Sequence, residues 1–562
     1  MMPLDPNTKI IGILTPLFAL RGTLDLGIGD TAALSEMIRW ASEQGFHAIQ
    51  ILPINETGGN HSPYNVLSAM ALEPSTITTH PTWIPELTVN DYRKVTARYD
   101  LQKLRTGEIN YSEVKQLKKE LLTAAWLRFR ERDQRLGRSQ LFKNFQEEER
   151  EWLPNYTLYR ALLEHYQENE ILSDWPPATR HATSANVWLN ELPKKQQRYF
   201  ADRRDFFAFV QWIAFSQWKS VSDLGDAFNV TLVGDVPVGV SAHGADVFST
   251  PELFSTDFFG GAPPEKIFQA DPFTMKWGQN WGIPLYHWEK MSHDNFFWWR
   301  HRLRTLRSIF HFLRIDHALG FFRIYSFPWS PERNDEFTNL TPEEASQLTG
   351  GVLPHFIDYN DDTPEHLTHN QHRGEALLRL FLEEIGTHRL IAEDLGEVPP
   401  YVPSTLLKLE IPGFKIPLWT RHPDNTMVAA QEYPRISVAT YGTHDHPPLR
   451  AQWEEWQTQV NSNTSSAEIG LKTLHEMLDF IGRPDLNPLM PYEGELHQAL
   501  LKGLFSANSW LIIPTITDFF GINLQFNVPG AVNAENWTSR IEAPITLWKQ
   551  QYTSLRKLLN TS

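Results

Sequence analysis

The chain has 562 residues, of which 41% are hydrophobic and 21% charged, and its formal net charge is −16. This composition is typical of a globular protein, and the acidic excess argues against nucleic acid as a partner because phosphate groups are also negative. Since there are no cysteines, disulfides, thiolate metal sites and a cysteine nucleophile are excluded, and we expect a cytoplasmic location, with which this composition is compatible.

The first part of the chain lacks the pattern of an export signal. In residues 1–20 an acidic residue precedes the first lysine and a proline interrupts the apolar run, which is unlike a signal peptide. No apolar stretch elsewhere approaches the roughly 20 residues that span a bilayer. We therefore expect no membrane as a partner.

Short apolar runs that end in polar or small residues alternate with longer amphipathic segments, which is typical of repeated βα units. Residues 30–45, with Leu34, Met37 and Ile38 on one face, are an example of the predicted helices. The pattern predicts an α/β fold, and the number of strands predicts a (β/α)₈ TIM barrel. The predicted strands are 9–17, 47–54, 230–238, 312–318, 389–395, 413–419, 436–445 and 510–518.

The spacing of these strands predicts mainly helical insertions between them. The stretch between residues 54 and 230 is much longer than one helix with two loops, and its segments 111–136 and 152–168 are charged and rich in helix formers. The predicted organisation has three parts. They are 1–80 with the first two strands, 81–225 as a helical subdomain, and 226–562 as the rest of the barrel.

Loop insertions are predicted within the third part. The Gly, Pro and Trp content of residues 277–291 suggests an ordered loop, and the polar residues 459–470 suggest an exposed one. The insertions are expected near 250–300, 329–370 and 450–500.

Residues 312–322, FLRIDHALGFF, place Arg314, Asp316 and His317 inside an apolar run. Because burying a carboxylate without a partner is costly, the stretch forms either a structural ion pair or the working acid of a site. Glu393 and Asp445 occupy comparable positions near the ends of the fifth and seventh predicted strands. We expect these acids to converge on the face where barrel enzymes have their active sites, although a helix cap or surface ion pair is the alternative for each acid alone.

Paired carboxyls suit cleavage of a glycosidic bond, in which one attacks the anomeric carbon and the other protonates the leaving oxygen. Arg314 lies two residues before Asp316, on the same side of its strand, where its guanidinium would keep Asp316 ionised. Glu393 would need a raised pKa to donate a proton. The 20 tryptophans offer flat faces on which sugar rings stack, although filling of the core explains most of them.

Seven stretches combine charged, aromatic and glycine residues in a distinctive order. They are HSPYNVLSAMALEP (61–74), GDVPVGVSAHGADVF (234–248), GAPPEKIF with GQNWGIPLY (261–268 and 278–286), RIDHALGFFR (314–323), IAEDLGEVPP (391–400), YGTHDH (441–446) and FNVPGAVNAENW (526–537). RIDHALGFFR is similar to the nucleophile motif of the α-amylase superclan. The set as a whole resembles the amylomaltase, or disproportionating-enzyme, family of 4-α-glucanotransferases over nearly the whole chain.

The resemblance implies roles for individual residues. It implies Asp316 as nucleophile, Glu393 as general acid/base and Asp445 as stabiliser of the transition state. It also implies a barrel without a C-terminal β-sandwich, and a mobile loop over the acceptor that contains residues 279–281. The implied substrate-binding residues are Arg314, His317, His444, Asp235, Tyr64, Gln279, Asn280 and Trp281.

Three departures from the family pattern leave the acceptor contacts and the chain-length preference open. His446, Pro447 and Pro448 follow Asp445, where the family often has asparagine. Residues 269–277 extend the loop after GAPPEKIF, and residues 83–225 match no motif.

The favoured hypothesis is a retaining 4-α-glucanotransferase that moves α-1,4-glucan segments between maltooligosaccharides or starch-like glucans. An α-glucan hydrolase on the same site and a non-catalytic glucan-binding barrel are the alternatives. Transfer prevails over hydrolysis when the bound acceptor excludes water, for which an aromatic lid with glycine hinges is suited, although a packed structural loop has the same composition. The chemistry needs no metal or organic cofactor, and we interpret His355, His366, His369 and His372 as solvated loop residues rather than metal ligands.

Overall fold

The computed structural model describes residues 5–132, 137–264, 271–462, 465–529 and 535–560. Within these ranges it contains two sheets, of eight and four strands. The strands are β1 (Ile10–Leu14), β2 (Ala48–Gln50), β3 (Thr231–Val236), β4 (Phe254–Ala262), β5 (Gln279–Tyr286), β6 (Phe312–Ile315), β7 (Ile324–Phe327), β8 (His355–Ile357), β9 (Leu390–Ala392), β10 (Gly413–Lys415), β11 (Ser437–Ala439) and β12 (Leu511–Ile512).

The larger sheet is parallel and has the order β10-β11-β12-β1-β2-β3-β6-β9. Its two outer strands approach each other, because the Ala392 N–H donates to the carbonyl of Pro412, just before β10, at 3.0 Å. The sheet is therefore nearly closed. Each predicted strand contains one strand of this sheet, so the predicted (β/α)₈ barrel is confirmed.

The interior of the barrel changes from apolar to charged along the strands. Val233, Phe312 and Ile391 belong to a buried apolar cluster with the ring of Trp510. Because side chains on one face of a strand recur every second residue, the next inward positions are Asp235, Arg314 and Glu393. The charged groups thus follow directly from strands that begin with buried apolar residues.

Helices surround the barrel and fill the long connection between β2 and β3. Helix α1 begins after Asp30, whose side chain accepts from the N–H groups of Ala32 and Ala33, and ends at Gly45, which has a φ of 93°. The first eight are α1 (Thr31–Gln44), α2 (Val89–Thr96), α3 (Leu101–Arg105), α4 (Tyr111–Arg132), α5 (Arg138–Glu148), α6 (Leu153–His165), α7 (Ala182–Glu191) and α8 (Lys194–Phe228).

The remaining helices are shorter on average and lie between later strands or after the last one. They are α9 (Ala245–Ser249), α10 (Pro272–Trp277), α11 (Trp288–Ser292), α12 (Phe297–Arg307), α13 (Asn334–Phe337), α14 (Pro342–Leu348), α15 (Pro364–Ile385), α16 (Tyr401–Lys408), α17 (Leu449–Val460), α18 (Ser466–Phe480), α19 (Gly494–Phe505), α20 (Ile516–Phe520), α21 (Trp548–Gln551) and α22 (Leu555–Asn560). In the part of the chain that the structure describes, no strand follows β12, and no helix is long and apolar enough to cross a membrane.

The second sheet corrects the prediction of loops after the third and fourth barrel strands. Its strands pair antiparallel in the order β5-β4-β7-β8, so residues 279–286 form a strand rather than a loop. The glycine and proline residues of these strands are typical of loops, so the sequence did not predict the sheet. A Cβ at Gly261 would lie 1.9 Å from the carbonyl oxygen of Gln279, so the close strand approach requires glycine there. Pro284 is tolerated because β5 is an edge strand.

Two smaller predictions are also wrong. Residues 459–470 are mostly helical, since α17 ends at Val460 and α18 begins at Ser466, with 463–464 outside the described residues. Of the four histidines interpreted as loop residues, His355 lies on β8 and the other three lie on α15.

We predict that Gly234→Ala destabilises the barrel. A Cβ at this position of β3 would lie 2.3 Å from the ring of Phe310, which is 1% exposed. Overpacking of this kind costs about 1–3 kcal/mol, so the melting temperature should fall. Gly59→Ala is the control, because its Cβ would meet only Glu170, at 3.6 Å. Equal melting temperatures for the two variants would contradict the packing described here.

Candidate active site

One buried guanidinium organises the charged layer of the barrel. Arg314 is 1% exposed, and it forms ion pairs with Asp235, with Asp316 at 3.2 Å and with Glu393 at 2.8 Å. Removing one partner of a buried ion pair typically costs about 3–5 kcal/mol, so this cluster is also structural. Since Asp316 and Glu393 contact the same planar group, their carboxyls lie side by side. The charged residues of the stretch 312–322 therefore do both things that the sequence allowed. Arg314 and Asp316 form an ion pair, and Asp316 also lines the cavity.

The two carboxyls that share Arg314 differ in proton affinity. Burial, and then the charge of Glu393, raise the pKa of Asp316 well above its usual range. Burial alone would also raise the pKa of Glu393, but Arg314 and the backbone N–H of His317 outweigh it and lower that pKa. In this geometry Asp316 therefore has the higher pKa of the two carboxyls. The expected order, with the lower pKa on Asp316 and the raised pKa on Glu393, is therefore reversed in this geometry. Arg314 does lower the pKa of Asp316, but burial and the charge of Glu393 outweigh it.

His317 holds Glu393 through a strained backbone. It has a φ of 41°, in the left-handed region that residues other than glycine rarely adopt. Its N–H consequently points at Glu393 and donates to Oε2 at 2.8 Å. Burial lowers the pKa of His317 to about 4, so its imidazole is neutral at pH 7. Its ring packs edge-on against Trp281, with centroids 4.8 Å apart.

A second chain of contacts positions Asp445 at the barrel mouth. The Tyr64 hydroxyl donates to Asp235 at 2.7 Å, and the Tyr64 ring stacks on His444 with centroids 5.1 Å apart. His444 Nε2 lies 3.2 Å from Asp445, whose other carboxylate oxygen accepts from the Asn527 amide at 2.6 Å. Asp445 is thereby tied to Asp235 through two aromatic rings.

These groups surround a cavity of about 570 Å³ at the carboxyl ends of the strands. Asp235, Arg314 and His444 lie in the layer directly behind its wall. Asn280 lies elsewhere, because its amide donates to the carbonyl of Trp329 at 2.9 Å and to Asn334 at 3.1 Å. The predicted residues that line the cavity are Asp316, Glu393, Asp445, His317, Tyr64, Gln279 and Trp281.

Three further residues line the cavity that were not predicted to do so, Trp419, His446 and Asn527. Trp419 is 41% exposed and packs on His446 with ring centroids 4.7 Å apart. The backbone N–H of Thr443 donates to His446 Nδ1 at 3.0 Å, so the neutral ring carries its proton on Nε2. Burial lowers the pKa of His446 and favours this neutral form.

Signals for these residues were present in the sequence. Trp419 ends the sixth predicted strand, at the barrel face that holds active sites, and Asn527 lies in the stretch 526–537. Of that stretch, residues 530–534 lie outside the described residues, as do 265–270 of the stretch after β4. No group of three or more His, Cys, Asp or Glu that could hold a metal occurs among the residues described.

Neighbouring Asp and Glu carboxyls at the mouth of a (β/α)₈ barrel, with a third acid nearby, are the arrangement of retaining enzymes that act on glycosidic bonds. The chain belongs to the 4-alpha-glucanotransferase family, whose sequence model matches residues 15–546. It is thus an enzyme of glucan transfer, from a family that acts on α-1,4-glucans.

Individual relatives are similar in sequence or in fold over nearly the whole chain. A 4-alpha-glucanotransferase of Chlamydia caviae is 29% identical over 548 residues, which are 95% of this chain and 91% of the relative. One of Aquifex aeolicus is 26% identical over 567 residues, 98% of each chain. The amylomaltase of Streptococcus agalactiae, solved in complex with acarbose, has the same fold with a TM-score of 0.74 and 20% identity, covering 99% of both chains. The amylomaltase of Corynebacterium glutamicum has a TM-score of 0.75 and 19% sequence identity, and the match covers 99% of this chain and 75% of that one.

We predict that Asp316→Asn becomes more stable relative to the wild type as the pH rises from 4 to 7. The folded-state pKa of Asp316 is raised, whereas an unfolded aspartate titrates near about 3.9. Above that pH the unfolded wild-type chain loses this proton first, so the wild type loses stability until the folded carboxyl also ionises. Asparagine has no such proton to lose.

Thermal unfolding of both proteins at several pH values measures the effect. Asp223→Asn, an exposed position on α8, controls for the substitution itself. A stability gap that stays constant or shrinks between pH 4 and 7 would show that Asp316 is ionised in the folded protein at low pH.

Proposed function

We propose that the chain is a retaining 4-α-glucanotransferase that acts by double displacement through a glycosyl ester on Asp316. The donor is a maltooligosaccharide or starch-like glucan, and the acceptor is the 4-hydroxyl of glucose or another glucan. One observation carries the proposal, namely that Asp316 and Glu393 share one guanidinium at the wall of a sugar-sized cavity. A retaining pair must lie about 5 Å apart, which two carboxyls on one guanidinium can satisfy.

In the first displacement Asp316 attacks the anomeric carbon and the bond to the leaving glucan breaks. Glu393 gives its proton to the leaving oxygen, so the donor fragment departs with a free 4-hydroxyl. The pair's proton must therefore be on Glu393 when the reaction begins. We propose that the bound sugar separates Glu393 from the His317 N–H and that Arg314 then turns toward Asp316, which ionises.

In the second displacement Glu393 removes the proton from the acceptor's 4-hydroxyl, whose oxygen attacks the anomeric carbon and releases Asp316. Two inversions at this carbon retain the α configuration. Asp445, held by His444 and Asn527, supports the positive charge that develops on the ring. Tyr64, with a pKa raised by burial and by Asp235, stays protonated and offers its ring to the sugar next to the scissile bond.

Exclusion of water decides between transfer and hydrolysis. Trp281 lies over the site against His317, and its Nε1 donates to Gln279 Oε1 at 3.1 Å. Gly278 and Gly282, both with positive φ, flank these residues. We propose that this end of β5 closes over the acceptor, with Asn280 anchoring it to the neighbouring connection rather than contacting sugar.

Other properties of the chain remain predictions. The double displacement needs neither a metal nor an organic cofactor, and the net charge of −16 argues against nucleic acid as a partner. A cytoplasmic location is proposed from the absence of cysteine. A hydrolase acting through the same acids is the second candidate function, and it differs only in what opens the ester.

We predict that the wild type converts maltotriose to glucose and longer oligosaccharides while the total number of reducing ends stays constant. Asp316→Asn should lower the rate by about 10⁴-fold or more, because an amide cannot form the ester. Glu393→Gln should lower it by about 10²–10⁴-fold, the usual contribution of acid/base catalysis.

Chromatography of the products and a reducing-end assay measure these outcomes, with circular dichroism as the control for folding. A steady rise in reducing ends would establish the hydrolase. Full activity of Glu393→Gln would mean that the proposed mechanism is wrong.

We predict that Trp281→Ala shifts the wild-type reaction toward hydrolysis. Without the indole, water reaches the ester more readily, and the hydrolysed share of turnovers should rise about tenfold, equivalent to about 1.4 kcal/mol at the barrier. Met275→Ala, at a position that is 54% exposed on the helix before β5, is the control. An unchanged ratio of reducing ends to transfer products in Trp281→Ala would show that this side chain does not exclude water.

A further inference from the structure

A second cavity, of about 690 Å³, lies beside the four-stranded sheet. Its walls come from β4, β5, the segment after β6, α11 and α15. Its volume lies within the range of about 300–1,000 Å³ that is typical of ligand sites. Nothing in the proposed double displacement uses this space.

The two cavities share one wall. Val238 and Ile283 line both of them. The wall is tightly packed, since a Cβ at Gly239 would lie 2.6 Å from Ile283. The N–H of Val238 lies 3.5 Å from Asp316 Oδ2 on one side, and its carbonyl accepts from the Tyr286 hydroxyl at 3.0 Å on the other. A single residue, Val238, therefore separates the second cavity from Asp316.

The lining of the second cavity combines aromatic faces with hydrogen-bonding groups. Phe258, Tyr286 and Trp288 are each partly exposed there. Exposed Asp257 and Glu289 lie beside them. Rings that stack on the C–H faces of a sugar, with carboxylates that accept from its hydroxyls, are suited to a neutral carbohydrate.

The charges at this cavity disfavour an anionic ligand. Arg373 is already engaged, with Asp358 at 2.7 Å and with the carbonyls of Phe321 and Phe322. Lys290 is then the lysine or arginine left to meet a ligand among the described lining residues, and the carboxylates Asp257 and Glu289 line the same cavity. A phosphate would meet net negative charge, whereas a sugar would not be repelled.

We infer that this cavity is a second glucan-binding site, which binds a distant part of a long α-1,4-glucan while another part occupies the catalytic cavity. The inference rests on the proposed function, since it takes the same substrate class. The site raises the local concentration of long chains at the catalytic cavity and leaves short substrates unaffected. Trp288 and Phe258 are its aromatic platforms.

Binding tests the site directly. Asp316→Asn protein, which holds substrate without turning it over, is titrated with maltoheptaose in a calorimeter. We expect two binding sites, and we expect one after Phe258→Ala and Trp288→Ala are added. A single site of unchanged affinity in both proteins would overturn the inference. Because Trp288 packs near Trp299 and Phe321, Asp257→Ala with Phe258→Ala on the exposed part of β4 is a second variant for which folding is less at risk.

Kinetics separates this inference from the proposed function. In the otherwise wild-type enzyme, Phe258→Ala with Trp288→Ala should raise the KM for amylose at least fivefold and leave kcat/KM for maltotriose within twofold. Tyr199→Ala, an aromatic residue that is 47% exposed on α8, is the matched control. An unchanged KM for amylose overturns the second site only, whereas a wild type that fails to rearrange maltotriose overturns the proposed function.

Discussion

The site depends on a single buried cation, Arg314, that is shared by more carboxylates than it can neutralise. Asp235, Asp316 and Glu393 all contact its guanidinium in the interior of the barrel. Because a buried charge is tolerated only with partners, the cluster holds the strand ends together. Because one cation cannot balance three carboxylates, burial and the neighbouring acids raise the pKa of Asp316. The same interaction therefore stabilises the barrel and creates a pair of acids with different proton affinities.

The barrel strands position the charged residues of the site, and the second sheet lies over that site. Alternation along the strands places charged side chains directly above a buried apolar layer, which fixes the strands that carry them. The strained backbone of His317 adds an N–H aimed at Glu393. The antiparallel sheet then brings Trp281 over the site and forms a wall, at Ile283, that separates two cavities. The barrel carries the three acids, and we propose that the inserted sheet excludes water and binds long substrates.

Much of this arrangement was predictable from the sequence because periodicity and position along a strand are local properties. The eight barrel strands, helix α1 and the location of Asp316, Glu393 and Asp445 near strand ends all follow from local pattern. The second sheet was not predictable, since Gly261 and Pro284 signal loops unless the partner strand is known. The higher pKa of Asp316 relative to Glu393 depends on burial and on the contacts of Arg314 with both carboxyls. The direction of the Asn280 side chain depends on Trp329, distant in sequence. Both are tertiary properties.

The central claim is that Asp316 carries the glycosyl group between donor and acceptor. It is tested by mass spectrometry of Glu393→Gln protein quenched during reaction with an α-maltotriosyl fluoride. Fluoride leaves without help from an acid, whereas opening of the ester needs the missing base, so the intermediate should accumulate. The account predicts a maltotriosyl adduct on the peptide that contains Asp316. An adduct on Asp445, or none while fluoride is released steadily, would contradict it.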